Sequence, residues 1–274
     1  MSLRLCRPAR RTAMHRNRLG AGLAALVLAV AAPAGMAAAQ EDTLSRPGIT
    51  MTLGLGAAFT PDYPGADSNS LGPTGSFGLQ ELLLPGGFGI GGPSARPLEP
   101  GFGPRGAFRY LSPRRPGDAP ELAGTDRIGR AVELGVGLAH VTEFGRAFAE
   151  IRRGFGGHEG WVADVGVDAI WRVNPGLKLT AGPRAQWGDG RFTRTYFGVP
   201  AGAALPAFDA TGGIVSVGAE IGMVQDFGNG WGLQGSLTWD RLRGDAARSP
   251  ITRAGSRDQF GARLVVTRSF TLGG

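Results

Sequence analysis

Between Trp161 and Val173 the chain reads W-V-A-D-V-G-V-D-A-I-W-R-V, and its two alternating phases are chemically opposite. One phase, Trp161, Ala163, Val165, Val167, Ala169, Trp171 and Val173, is entirely apolar. The other, Val162, Asp164, Gly166, Asp168, Ile170 and Arg172, carries every charge. Successive side chains of a strand point to opposite faces, so this segment predicts a strand with one greasy face and one wet face. The ten residue steps from Trp161 to Trp171 span roughly 33 Å at strand rise. Tilted by ~40°, that length becomes a height of roughly 25 Å, the depth of an outer-membrane apolar band between its aromatic girdles. The segment therefore reads as a lipid-facing strand.

The same two-faced pattern recurs. Ile49 to Phe59 alternates cleanly and ends at Thr60-Pro61-Asp62, before a turn-rich stretch from Pro64 to Asn69. Further strands are predicted at about 127–141, 144–155, 159–173, 176–188, 211–226, 230–242 and 257–270. In three of them the apolar phases are Leu177 to Trp187, Val215 to Met223 and Trp231 to Trp239, taking every second residue. Short turns at Asn174-Pro175-Gly176 and Gly228-Asn229-Gly230 alternate with longer loops at 189–210 and 243–256, the rhythm of an up-and-down barrel. Weaker candidates near 72–80, 86–91, 103–111 and 191–198 bring the expectation to an all-β, antiparallel transmembrane barrel of about 12 strands, with 10 as the alternative. Residues 85–104, of which 12 in 20 are Gly or Pro, are expected to form a loop or plug-like excursion. A soluble lipocalin-like barrel or a sandwich would share the period. Strand length and the tryptophan-bounded strands favour membrane, with Trp161, Trp171, Trp187, Trp231 and Trp239 as girdle residues. Asp164, Asp168, Arg172, Lys178, Arg184, Glu220 and Asp240 are then the expected interior charges.

Composition alters this picture in one place. The formal charge of +7 suggests a nucleic-acid partner, but Arg4, Arg7, Arg10, Arg11, Arg16 and Arg18 all precede residue 39, where no acid occurs. Taking those six from 29 basic residues leaves 23 against 22 acids, so the remainder offers no basic surface for nucleic acid. Basic residues, the apolar run Leu19–Ala32 and the small residues Ala37-Ala38-Ala39 read as a signal peptide over 1–39, starting at Met1 or Met14. Residues 40–274 are then expected to be a single exported barrel domain. Cys6, the only cysteine, precedes the apolar run, which leaves no thiol or disulfide in the exported part.

Candidate chemistry is sparse. Gly87-x-Gly89-x-x-Gly92 and Gly101-x-Gly103-x-x-Gly106 match a dinucleotide pattern but open no helix, so neither cradles phosphate. Only His140 and His158 follow the signal, and no metal, cofactor or catalytic constellation is expected. The best enzymatic case joins His158 to Asp164 and Asp168, yet those carboxylates stand about 13 Å apart along one strand face. Pairing with Arg172, Arg184 or Arg152 inside a barrel is the simpler expectation. Arg152-Arg153-Gly154-Phe155-Gly156-Gly157-His158 reads as a glycine-rich hairpin with two solvated arginines, or as a contact for lipopolysaccharide phosphate.

Several stretches together resemble a known family. Ile151 to Gly160, containing Arg152, Arg153, Gly154, Gly156, Gly157 and His158, is similar to the central motif of the outer-membrane MipA/OmpV family, the MltA-interacting proteins. So are Gly182-Pro183-Arg184 with Trp187 and Asp189, Tyr196-Phe197-Gly198-Val199, and Asp245 to Ile251 with Ser249 and Pro250. Pro61-Asp62-Tyr63 and Ala131 to Gly135 also resemble it. The resemblance implies an outer-membrane barrel surrounded by lipid and lipopolysaccharide. It implies a scaffold joining a murein lytic transglycosylase to a penicillin-binding protein, with solute passage through a narrow channel as the alternative. The chain departs from the usual pattern in its 85–104 segment and in the Thr271 to Gly274 tail that follows Phe270.

Overall fold

A computed structural model describes residues 48–83, 89–91 and 98–273; the expected signal peptide and part of the Gly/Pro-rich segment lie outside them. The chain forms one antiparallel sheet from β1 (Gly48–Pro61), β2 (Asn69–Leu83), β3 (Gly89–Gly91), β4 (Gly101–Leu111), β5 (Ala131–Val141) and β6 (Gly145–Gly156), followed by β7 (Trp161–Arg172), β8 (Leu177–Gly188), β9 (Gly213–Gly228), β10 (Trp231–Leu242) and β11 (Asp258–Leu272). Among the described residues three short α-helices, α1 (Gly190–Phe197), α2 (Gly244–Arg248) and α3 (Pro250–Ala254), and a 3-10 turn at Pro120–Leu122 lie in the loops. The strand order β3-β2-β1-β11-β10-β9-β8-β7-β6-β5-β4 is that of a meander curled so that β11 pairs with β1. Its two ends, β2 with β3 and β4, approach each other. Ten strands are 11–16 residues long, and β3 has three.

The expected twelfth strand is a helix. Residues 191–198 are rich in β-branched and aromatic side chains, which favours extension, but Phe192, Thr193, Tyr196 and Phe197 are buried together as one helical stripe in α1. Asp189 caps it, its Oδ1 accepting the Phe192 N–H at 2.9 Å. Of the candidate at 86–91, residues 89–91 form β3 and 86–88 lie outside the described residues. Residues 101–104, expected in the loop, instead begin β4, because strand pairing with Val141 to Leu138 holds them extended. Just before them Leu98, at φ 60°, is buried against Val141 and Ile170 and so reaches into the short-turn end of the curl.

Alternation holds along the long strands. On β7 Val162, Gly166, Asp168 and Ile170 are buried, while Trp161, Val165, Val167 and Trp171 are exposed. One expectation fails on β9. The register shifts between Gln186 and Trp187, which pair with Ser216 and Ile214, and leave Val215 as an extra residue. Such a bulge reverses the phase. Ile214 takes the outer position at 48% exposure, and Val215 turns inward. The β7–β8 ladder also breaks opposite Gly182-Pro183, where proline has no N–H to donate.

The loops after β1, β4, β8 and β10 emerge at one end of the sheet and fold into a cap with two apolar cores. In one, Phe192, Tyr196 and Phe197 pack against Val162, Val215 and Ile128. In the other, Tyr63 and Ala66 meet Leu122, Val199 and Ile251.

Candidate functional site

The inner face carries an ionic lattice that begins on the phase read from β7. On β6 the matching phase is Arg146, Phe148, Glu150 and Arg152. Arg152, 5% exposed, is its hub. Its Nε donates to Glu133 Oε2 at 2.8 Å, and its two terminal nitrogens donate to Glu150 and Asp164. Arg105 on β4 reaches the other oxygen of Glu150 at 3.0 Å, and Gln186 donates to Asp164 at 3.1 Å. A second knot centres on Asp168, which accepts from Arg146 at 2.5 Å and forms an ion pair with Arg184 at 2.8 Å; Arg184 also donates to Glu220 at 2.9 Å. Phe148 lies among three guanidiniums, those of Arg105, Arg184 and Arg146, at 4.3, 5.1 and 5.2 Å from its ring centre. Opposite charges placed this close, several of them buried, fix one another's geometry.

Of the residues singled out from sequence, Asp164, Asp168, Arg184 and Glu220 thus enter the lattice. Arg172 and Lys178 stand apart at the short-turn end, where they hold the incoming segment: Arg172 donates to the Leu98 carbonyl at 2.9 Å, and Lys178 pairs with Glu99. Asp240 forms no ion pair among the described residues, and the Ser216 hydroxyl points to it at 3.5 Å. The five tryptophans are 40–53% exposed on the outer face. Trp161, Trp187 and Trp239 stand toward the long-loop end, and Trp171 and Trp231 toward the short-turn end. Between the levels the outer face is aliphatic, with Leu55 80%, Val136 69% and Ile221 59% exposed. Arg153 lies over Trp161 at 5.3 Å and Arg268 over Trp231 at 5.1 Å.

The expected hairpin with two solvated arginines is corrected. Residues 152–156 belong to β6, so Arg152 points inward to the lattice and Arg153 outward to Trp161. The chain turns only at Gly156, whose φ of +94° an L side chain resists. His158 then folds back over the strand. Its Nε2 lies 3.2 Å from Glu133 Oε1, its Nδ1 accepts the Gly160 N–H at 3.3 Å, and its ring meets Phe192 and Tyr196 edge-on at 5.2 and 5.5 Å. A Cβ on Gly154 would stand 2.2 Å from that ring, so the motif needs glycine there. His158 is therefore partnered by Glu133, not by Asp164 or Asp168.

The remaining motif stretches converge on the cap. Ser249 caps α3 by accepting the Ile251 N–H and donates to the Phe197 carbonyl at 2.7 Å. Pro250 begins that helix. Asp245 accepts the Thr211 amide at 2.7 Å and its hydroxyl at 2.5 Å, contacts that hold its carboxyl below the usual range. The Tyr63 hydroxyl donates to Glu121 at 2.7 Å, and burial, with that acceptor, raises its pKa. Gly198 terminates α1 with its N–H on the Arg194 carbonyl. A Cβ on Gly182 would stand 1.7 Å from the Val167 carbonyl oxygen of β7, and Pro183 is exposed on the outer face. Sequence reading missed Glu133, Glu150, Arg105 and Arg146 as lattice members. The strand phase of β4, β5 and β6, carried through as it was for β7, contains them.

A family model described as MltA-interacting protein MipA matches residues 53–270. No curated protein matches the chain. Among solved structures, the chain is similar to an outer-membrane channel from Pseudomonas putida F1, at 14% identity over 84% of this chain and 100% of that one, with a TM-score of 0.42. It is also similar to Neisserial surface protein A (9% identity, 81% and 95% coverage, TM-score 0.30). A third is the translocator domain of the autotransporter NalP from Neisseria meningitidis (12% identity, 84% and 90% coverage, TM-score 0.32).

Proposed function

The chain belongs to the MipA family of MltA-interacting proteins, a family of outer-membrane β-barrels, and from that premise we propose that it serves as a scaffold rather than as an open pore. The observation that carries this reading beyond the family is the occupied interior. Arg152 and Asp168 tie together the inner faces of β4 through β9, the cap covers the long-loop end, and Leu98 reaches into the other end. In bacterial barrels of this kind short turns face the periplasm and long loops the exterior. The exposed tryptophans at two levels, with aliphatic residues between them, supply the girdles and the lipid belt. Outer-leaflet lipid and lipopolysaccharide surround that belt. A murein lytic transglycosylase and a penicillin-binding protein, the partners implied by the family resemblance, would meet the short-turn end, where Phe144 and Val173 are 74% and 57% exposed.

Affinity capture from solubilised envelopes tests the scaffold: a murein transglycosylase or synthase is expected above background, and its absence refutes the reading. A narrow channel is the second reading, favoured by the wall around β1, β2 and β11. Its inner positions are mostly small, including Thr52, Gly54, Thr74, Ser76 and Thr267, and a Cβ on Gly72 or Gly78 would meet nothing within 4 Å. Planar-bilayer recording separates the two. The scaffold predicts no steps above the lipid baseline, and discrete steps from refolded protein support the channel.

A further inference from the structure

The cap holds one buried charge that neither its apolar cores nor the interior lattice accounts for. Arg114, in the loop after β4, is 2% exposed. One terminal nitrogen donates to the Tyr196 carbonyl at 2.7 Å, while Nε makes no hydrogen bond. No carboxylate forms an ion pair with it among the described residues. Burial pushes its pKa down, the mark of a guanidinium removed from water without a full counter-charge. A buried cation in that state is costly, and an anion brought beside it relieves the cost.

Arg114 lies in the wall of a cleft of about 640 Å³ between α1 and the 112–130 loop. Arg127 and Arg194 stand exposed on the same cleft, and neither forms an ion pair among the described residues. Asp126 and Asp209 line it too, so the lining carries three arginines and two aspartates. Thr195 and the backbone of Gly157 and Gly198 complete its polar edge. The guanidinium fork suits phosphate and carboxylate oxygens, and free carboxylates accept hydroxyl donors. A ligand that satisfies both carries an anionic group on a hydroxyl-bearing frame.

We propose that this cleft binds a phosphate- or carboxylate-bearing sugar, with Arg114, Arg127 and Arg194 as the cationic partners and Asp126 and Asp209 accepting its hydroxyls. The site lies on the long-loop end, away from the surface assigned to murein partners, and does not depend on the scaffold reading. The anionic sugar has two sources, a free solute or the headgroup of an outer-leaflet glycolipid.

The test uses the full chain refolded in detergent and titrated calorimetrically with glucose 6-phosphate, with glucose, and with lipopolysaccharide micelles. Saturable binding is expected for a phosphorylated probe and none for glucose. Arg127→Ala and Arg194→Ala, both on exposed positions, are each expected to weaken it about tenfold, or ~1.4 kcal/mol. Saturation by glucose 6-phosphate assigns a free solute; saturation by lipopolysaccharide alone assigns the glycolipid headgroup. Arg114→Met, where it folds, abolishes binding, and the two exposed substitutions keep the test decisive where it does not. Binding of no probe, equal binding of glucose, or affinities unchanged in both alanine variants overturns the proposal.

Discussion

Replacing Arg152 by Met removes the hub of the interior lattice while keeping most of its volume. Three carboxylates lose a partner at once: Glu133, held at 2.8 Å, Glu150 and Asp164. What remains to them is His158 at 3.2 Å, Arg105 at 3.0 Å and Gln186 at 3.1 Å. Breaking a buried pair and leaving the other charge in place costs about 3–5 kcal/mol. Glu133→Gln keeps a neutral acceptor beside Arg152 and is expected to cost less, about 1–3 kcal/mol. Because the two share one contact, the double variant should be less destabilised than the sum by about 0.5–3 kcal/mol. The assay is urea unfolding from lipid vesicles, read by the fluorescence of the five tryptophans and by the mobility of unheated protein on gels. Arg152→Met within ~1 kcal/mol of the parent would refute the argument. Such a result would mean that water already hydrates these carboxylates, and the occupied interior would lose its weight as evidence for a closed barrel.

Three further outcomes follow from named contacts. Gly154→Ala drives a methyl into the His158 ring and should cost about 1–3 kcal/mol; the same unfolding assay should find His158→Ala partly restoring it, and simple additivity would contradict the close approach. Asp245 has its pKa lowered by the Thr211 hydrogen bonds, so its contribution is full above the ordinary carboxylate range and is lost as pH falls through the lowered value; exchange protection of the Thr211 amide should fall in acid, and Asp245→Asn should flatten that dependence. Lipids brominated near the headgroup should quench all five tryptophans more than lipids brominated at the chain ends, whereas deep-label quenching of Trp161 or Trp171 would displace the girdles.

Much of the wall was legible because alternation needs no partner to be read. Trp161 to Val173 announces two faces by itself, and so do the phases of β8 and β10. The reading failed where local pattern and tertiary demand differ. Residues 191–198 have strand-like composition, yet Asp189 offers a cap and the cap's core needs one stripe from Phe192 to Phe197. Val215 sits in the apolar phase, but the bulge opposite Gln186 and Trp187 turns it inward. The stretch from Arg152 to His158 is as polar as a solvated turn, and only the partner strands reveal that Arg152 faces three carboxylates.

The sequence by itself determined the class of the molecule: an exported chain whose strands carry one apolar and one polar face, with aromatic residues at the limits of the apolar one. That follows because the period of two and the length of a strand are properties of one segment. The tertiary structure alone decided which charges meet. Glu133, Arg152 and Asp164 lie on three strands, and the two carboxylates reach Arg152 only because antiparallel register sets each two residues along from its direct partner, Gly135 or Val162, on the same face. It decided likewise that motifs near Tyr63, His158, Tyr196 and Ser249 build one cap, since loop residues far apart in the chain meet only when the meander sets their strands side by side.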